Sequence, residues 1–249
     1  MLRRLRDLEH WAVLSSDGHD LGTIEDFYFD DERWTIRYVV VKTGRWLTGR
    51  TVLLSPMTLD HVQWDQALVS FALTREQVES APNADLAMPL SRRWEAAHAG
   101  HYALPYYWTG AGVWENWATP AEARTAVRQP LPAASGMDAE HVRSTRAVAG
   151  YHLHAVDGEI GHIDDFVVDD RTWTIRYLLI DTSNWIGGRA VLIPPARAWQ
   201  IEWPKQLMHV DLSREEVENS REYDPSADIA GVYRIDVANA AEGADRRLL

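Results

Sequence analysis

The chain has 249 residues, 46% of them hydrophobic and 25% charged, with a net charge of −12 and no cysteine. That length suits one large or two ordinary domains of globular composition. The missing thiols exclude disulfides, cysteine nucleophiles and thiolate zinc sites, and the acidic balance disfavours bulk nucleic-acid binding.

The opening Met1-Leu-Arg-Arg-Leu-Arg-Asp-Leu-Glu-His10 carries positive charge without the apolar run of a signal peptide. No stretch approaches the ~18 apolar residues of a spanning helix. A bacterial-type cytoplasmic protein without a membrane span is the expectation. A first strand is predicted over Trp11–Ser15, and Asp17-Gly18 in the following turn suits a tight hairpin. The second strand runs Leu21–Phe29, Asp30-Asp-Glu-Arg33 turns the chain, and Trp34–Thr43 is rich in β-branched and aromatic residues. After a bend carrying Gly49, strands over Thr51–Leu54, Thr58–Gln63 and Leu68–Leu73 complete the set. Thr74-Arg-Glu-Gln77 is a capping box that opens a short helix.

The same text then returns. Gly22 to Ala81 aligns without a gap to Gly161 to Ser220, 139 residues later, with 25 identities in 60 positions. Asp157-Gly158, Asp169-Asp170, Gly187-Gly188 and the capping box Ser213-Arg-Glu-Glu216 repeat the turn, bend and cap signals, and strands are expected over Val191–Ile193, Ala198–Glu202 and Leu207–Leu212. A repeat this long is a folding unit rather than a catalytic motif. In both copies strict alternation fails. Ile24, Phe27 and Phe29 share a face only if an extra residue intervenes near Glu25-Asp26, and Ile163, Phe166 and Val168 require the same near Asp164-Asp165. A β-bulge supplies that residue. Val39-Val-Val41 and Leu178-Leu-Ile180 are apolar on both faces, so the outer face needs a cover, for which the sister repeat is a candidate.

The segment between the copies differs. Ser91 to Ala99 reads as a helix with Ser91 as N-cap and Gly100 as its stop. An aromatic run follows through Tyr106, Tyr107, Trp108, Trp114 and Trp117, then an Ala/Pro-rich linker over Pro120–Gly136. The tail from Ala238 has the composition of a frayed end. The domains drawn from these signals are a first barrel over 1–84, a connector over 85–140, a second barrel over 141–235 and a tail over 236–249.

Gly-x-Ile-x-Asp-Phe-x-x-Asp-Asp, then Trp-Thr-Ile-Arg-Tyr, then Trp-x-x-Gly-Arg-x-Val-Leu and Pro resemble the PRC-barrel, a module known from the photosynthetic reaction-centre H subunit and a ribosome maturation factor. The resemblance covers about residues 5–94 and 145–233. It implies an all-β fold of two small barrels in tandem, each of about six strands, used to bind other macromolecules. It carries no set of catalytic residues.

The remaining candidate chemistry is weighed residue by residue. The pairs Glu25-Asp26, Asp30-Asp31, Asp164-Asp165 and Asp169-Asp170 invite an acid/base or metal reading. Neighbours on a strand face opposite ways, however, so a pair is not one site. Asp26, Asp31, Trp34, Arg37 and Gly49 with Asp165, Asp170, Trp173, Arg176 and Gly188 are therefore read as structural repeat residues. Arg37 and Arg176 are expected to meet a repeated Asp across the sheet. His152-x-His154 puts two imidazoles on one strand face, with no third metal ligand evident. No nucleophile elbow, phosphate loop or metal set is readable, so no enzyme, metal or cofactor is expected. Tyr106, Tyr107, Trp108, Trp114 and Trp117 form the candidate partner-binding patch, with internal packing as the competing reading. The functional expectation is a non-catalytic interaction or scaffold protein with an unidentified protein partner, nucleic acid being disfavoured, and a homodimer. A regulator or assembly factor of a membrane-associated complex, or a small-molecule binder, is the alternative, and an enzyme using the repeated Asp residues is the remote one.

Overall fold

A computed structural model describes residues 1–126, 140–182, 188–220 and 222–224. The part of the Ala/Pro-rich linker beyond Ala126, Gly187, Pro225 and the tail lie outside the described residues. In chain order the strands are β1 (Leu2–Arg4), β2 (Ala12–Leu14), β3 (Asp20–Asp30), β4 (Thr35–Lys42), β5 (Thr51–Leu54), β6 (Leu59–Gln63), β7 (Leu68–Phe71), β8 (Leu90–Ser91), β9 (Glu140–Ser144), β10 (His152–Ala155), β11 (Gly158–Asp169), β12 (Ile175–Asp181), β13 (Ala190–Ile193), β14 (Ala198–Glu202) and β15 (Leu207–Val210). The helices are α1 (Arg75–Glu79), α2 (Arg92–His101), α3 (Pro120–Ala123), α4 (Thr145–Val148) and α5 (Arg214–Glu218). Among the described residues no helix is long and apolar enough to cross a membrane.

The chain is mostly β and divides into two compact units. The N-terminal unit holds Leu5–Ala147 together with Arg171–Thr174. Its sheet runs β5-β4-β3-β2-β7-β6, with β9 added to β3 and β8 to β9. The C-terminal unit holds Met1–Arg4, Val148–Asp170 and the described chain from Ile175. Its sheet runs β13-β12-β11-β10-β15-β14, with β1 added to β11. Neighbours are antiparallel except β2 with β7 and β10 with β15. The two strand orders are the same, as the internal repeat requires, and among the described residues neither sheet closes by pairing its end strands.

The expected bulges are in place. The β3–β4 register shifts between Ile24 and Asp26, and the β11–β12 register between Ile163 and Asp165. The extra residue restores the apolar phase, and Ile24, Phe27 and Phe29 are all buried. Both capping boxes form at α1 and α5, and Ser91 caps α2 by accepting from the Trp94 amide. α2 runs on through Gly100 to His101, so that glycine is not the helix stop.

Gly22 and Gly161 are fixed by crowding. Each has φ in the range glycine tolerates, +131° and +139°, and a Cβ would fall 2.0 Å from the Lys42 carbonyl oxygen or 2.1 Å from that of Asp181. No L side chain fits where β3 or β11 crosses the end of the next strand.

Two covers meet the need of the doubly apolar strands. In the N-terminal unit, Tyr28, Tyr38, Val40 and Leu53 are packed by Leu90, Val142 and Trp94. In the C-terminal unit, the corresponding Val167, Tyr177, Leu179 and Leu192 are packed by Leu2 and Tyr223. Val142 and Leu2 lie on the added strands β9 and β1. Each sheet is thus completed by the strand with which the other copy's sequence begins.

Candidate functional site

The repeated acids hold those added strands. β9 pairs Ser144 with Tyr28, Arg143 with Phe29 and Val142 with Asp30. β1 pairs Arg4 with Val167, Arg3 with Val168 and Leu2 with Asp169. Asp26 sits at the bulge and uses both carboxylate oxygens. Oδ2 accepts from Ser144 Oγ at 2.5 Å, while Oδ1 accepts from Thr145 Oγ1 at 2.9 Å, the Arg146 amide at 3.1 Å and the Phe27 amide at 2.7 Å. Asp165, its copy, accepts from Arg4 Nε at 3.1 Å and the Phe166 amide at 2.8 Å.

The second acid of each turn repeats the arrangement. Asp31 accepts from Arg143 Nε at 2.7 Å, and its own amide donates to the His141 carbonyl. Burial raises the Asp31 carboxyl above its ordinary range, against the opposing pull of Arg143. Asp170 accepts from the terminal ammonium of Met1 at 2.5 Å and faces Arg3 Nε at 3.6 Å, and its amide donates to the Met1 carbonyl. The two strands are held by matching residues in matching register. The sequence reading took the acids as structural repeat residues, and it showed neither Arg3, Arg4, Arg143 nor Ser144 as their partners. Those partners sit outside the ungapped repeat, where the only signal is a faint match of Leu2-Arg3 to Val142-Arg143.

The first acid of each turn pairs with the repeated arginine. Arg37 Nη2 lies 3.0 Å from Asp30 Oδ2, and Arg176 Nη2 lies 3.3 Å from Asp169 Oδ2. The environments differ completely. Arg37 and Asp30 have side-chain exposures of 0% and 2%, whereas those of Arg176 and Asp169 are 46% and 23%.

The connector makes that difference. Its backbone is gathered by Arg33, which donates to the carbonyls of Tyr107, Gly110 and Gly112. Arg37 Nη1 donates to the Val113 carbonyl at 2.7 Å, and its guanidinium lies 3.7 Å above the Tyr107 ring and 4.7 Å from that of Trp114. Trp114 is fully buried and donates from Nε1 to the Thr172 carbonyl at 2.8 Å. Trp173 packs on Phe27 and takes the Ile36 amide on its carbonyl, while Trp34 stacks on Phe29 at 5.3 Å. Both tryptophans adopt left-handed backbone, at φ 59° and 49°. Gly49 and Gly188 sit in their bends at φ +72° and +90°.

Between α2, Tyr38 and the aromatic run lies a closed polar cluster. Glu95 on α2 is fully buried and accepts from Arg92 Nη1 at 3.0 Å, from the Tyr38 hydroxyl at 3.2 Å and from the Tyr107 hydroxyl. Arg92 also donates to the Tyr107 oxygen at 2.8 Å, and its guanidinium lies 4.6 Å from the Trp108 ring. Burial pushes the Glu95 carboxyl up to about 7, with Arg92 and Tyr107 pulling the other way. His98, one turn later, bonds the Leu53 carbonyl from Nε2 at 2.9 Å, and burial pushes it down to about 4.

Of the five aromatics weighed as a docking patch against packing, Tyr106, Tyr107 and Trp114 are interior residues, Trp108 is half-buried, and Trp117 is exposed. Within the run, Tyr107 and Trp114 cover Arg37, and Tyr107 also reaches Glu95, whereas Trp117 stays at the surface.

An open cleft of about 360 Å³ lies in the N-terminal unit. Tyr28, Val40, Leu86 and Ala147 give it apolar walls, and Glu25, Asp26, Ser144 and Arg146 a polar side. It opens beside the strand clamp. Among the described residues no three or more His, Asp or Glu side chains are grouped to hold a metal ion.

A family model described as the PRC-barrel domain matches residues 2–67 and 155–214. No curated protein matches the chain.

Proposed function

Because the chain belongs to the PRC-barrel family, we propose that it is a non-catalytic interaction protein, a scaffold whose duplicated barrels carry docking surfaces for a protein partner. The observation that supports this most is the use to which the repeated acids are put. Asp26, Asp31, Asp165 and Asp170 are engaged by Ser144, Arg143, Arg4 and Met1, and Asp30 and Asp169 by Arg37 and Arg176. Carboxylates so engaged are parts of the framework, not proton shuttles.

The cleft at the β9 clamp is the docking point in this reading. Its size and mixture of apolar walls with a few polar groups suit a protruding side chain of a partner. The experiment is affinity capture from the native cell with the full chain, set beside Ala147→Trp, which fills the cleft. A protein retained by the wild type and lost with Ala147→Trp is the expected result. A protein profile unchanged by that substitution sinks the cleft as a docking point, and reproducible turnover in a metabolite screen, abolished by a point substitution, sinks the non-catalytic reading.

A further inference from the structure

On the C-terminal unit a pair of imidazoles meets that the sequence did not bring together. β10 and β15 run parallel, with His154 directly beside His209. Their ring centroids are 5.8 Å apart. The same register in the N-terminal unit places Leu14 beside Ser70. The two histidines are thus an addition to one copy, at positions the barrel itself does not require to be imidazole.

The hydrogen bonds fix which nitrogen of each ring is free to coordinate. His154 Nδ1 lies 2.9 Å from the Ala155 carbonyl oxygen. A carbonyl only accepts, so Nδ1 carries the proton and Nε2 of the neutral ring keeps its lone pair. His209 Nε2 lies 2.9 Å from Glu202 Oε1, so Nε2–H is the donor and Nδ1 keeps the lone pair. Glu202 is itself held below its ordinary range, first by Lys205, which donates to Oε2 at 2.6 Å, and then by His209. Metal-bound histidines have this outer arrangement, one ring N–H on a carbonyl or carboxylate and the other nitrogen presented to the ion.

We propose that His154 Nε2 and His209 Nδ1 form a two-imidazole site for a divalent transition ion of the zinc, nickel or copper class, with water filling the other positions. Imidazole suits these ions, whereas calcium and magnesium demand oxygen ligands. Glu202 and the Ala155 carbonyl act as positioning groups. The partner of His154 is therefore His209, on the neighbouring strand, rather than His152 two residues away, whose Nδ1 is turned to Glu159 at 2.8 Å.

The test is isothermal titration of the full chain, carrying no polyhistidine tag, with Zn²⁺ and Ni²⁺ at neutral pH. One ion per chain is expected, with His154→Ala and His209→Ala each weakening it at least about tenfold and Glu202→Gln weakening it about tenfold. His61→Ala, on the other unit, leaves it unchanged. The exposed Trp199 ring is 5.3 Å from that of His209, so bound Cu²⁺ quenches its emission. Trp199→Phe removes that quenching while the heat of Zn²⁺ binding persists. Absence of binding overturns the proposal. So does binding that declines equally with His61→Ala, His152→Ala and His154→Ala, since it would then follow the number of surface imidazoles rather than this pair.

Discussion

Arg37 and Asp30 form an ion pair at 3.0 Å that is sealed from solvent, while the same two letters of the repeat, Arg176 and Asp169, pair at 3.3 Å near the surface. The duplication thus provides a controlled comparison of one interaction in two dielectric settings. Removing one partner of a buried pair strands the other and costs about 3–5 kcal/mol, whereas exposed pairs contribute about 0–1 kcal/mol. Arg37→Ala is expected to lower stability by the first amount and Arg176→Ala by the second, measured as urea midpoints of the purified variants. Equal losses would contradict the sealing role of the connector.

Asp26 accepts four hydrogen bonds, three of them from Ser144, Thr145 and Arg146 at the end of the added strand. Asp26→Ala is expected to cost at least about 2 kcal/mol. Amide exchange should accelerate along β9 and the facing residues Tyr28 to Asp30. Asp165→Ala, which releases the partly exposed Arg4, should show the same pattern on β1 and β11 with a smaller loss. Exchange on β9 that stays at its wild-type rate in Asp26→Ala would refute the clamp.

The two crowded glycines make a steric prediction. Gly22→Ala and Gly161→Ala drive a Cβ against the Lys42 and Asp181 carbonyls, while Gly18, at φ +77°, has open space around it. The first two variants are expected to lose more than about 2 kcal/mol or fail to accumulate, and Gly18→Ala to lose about 1 kcal/mol, from the backbone alone. Thermal melts of the three side by side decide the matter.

Glu95 and His98 give stability a pH dependence with opposing parts. The Glu95 carboxyl rises from its ordinary 4.5 to about 7 on folding, so the folded chain holds a proton that the unfolded chain has released. Its contribution therefore falls as pH rises from about 4.5 to about 7, by about 3 kcal/mol over the whole window. His98 drops from 6.5 to about 4, so the unfolded chain takes up a proton first, and its contribution falls as pH drops from about 6.5 to about 4. In the wild type the slopes oppose each other between about pH 4.5 and 6.5. Glu95→Gln should leave a chain that weakens on acidification through that range, and His98→Gln one that strengthens. Urea titrations at four pH values in the window read both signs, and parallel profiles for the two variants would rule the assignment out.

The strands, bulges and caps were legible in the sequence because they depend on near neighbours. Alternation broken at Asp26 and Asp165 marked the extra residue, and Thr74 and Ser213 with an acid or amide three positions on marked the helix starts. The role of Arg37 was half legible. Its acidic partner lies seven residues away and could be inferred, but the rings of Tyr107 and Trp114 that enclose it lie about 70 residues further on. The aromatic run looked the same for a docking patch as for a seal, since hydrophobic area has no direction until something covers it.

Duplicated local chemistry thus determined, from the sequence alone, that one β-rich unit occurs twice with matching turns and matching acids, and the resemblance of its motifs implied the PRC-barrel family. Only the tertiary structure decided what distinguishes the two copies. It gave each sheet the short strand that precedes the other copy, buried one Arg–Asp pair beneath the connector while leaving its twin partly exposed, and set His154 beside His209. These are long-range pairings, chosen by shape, burial and strand register across distances in the chain that no local pattern encodes.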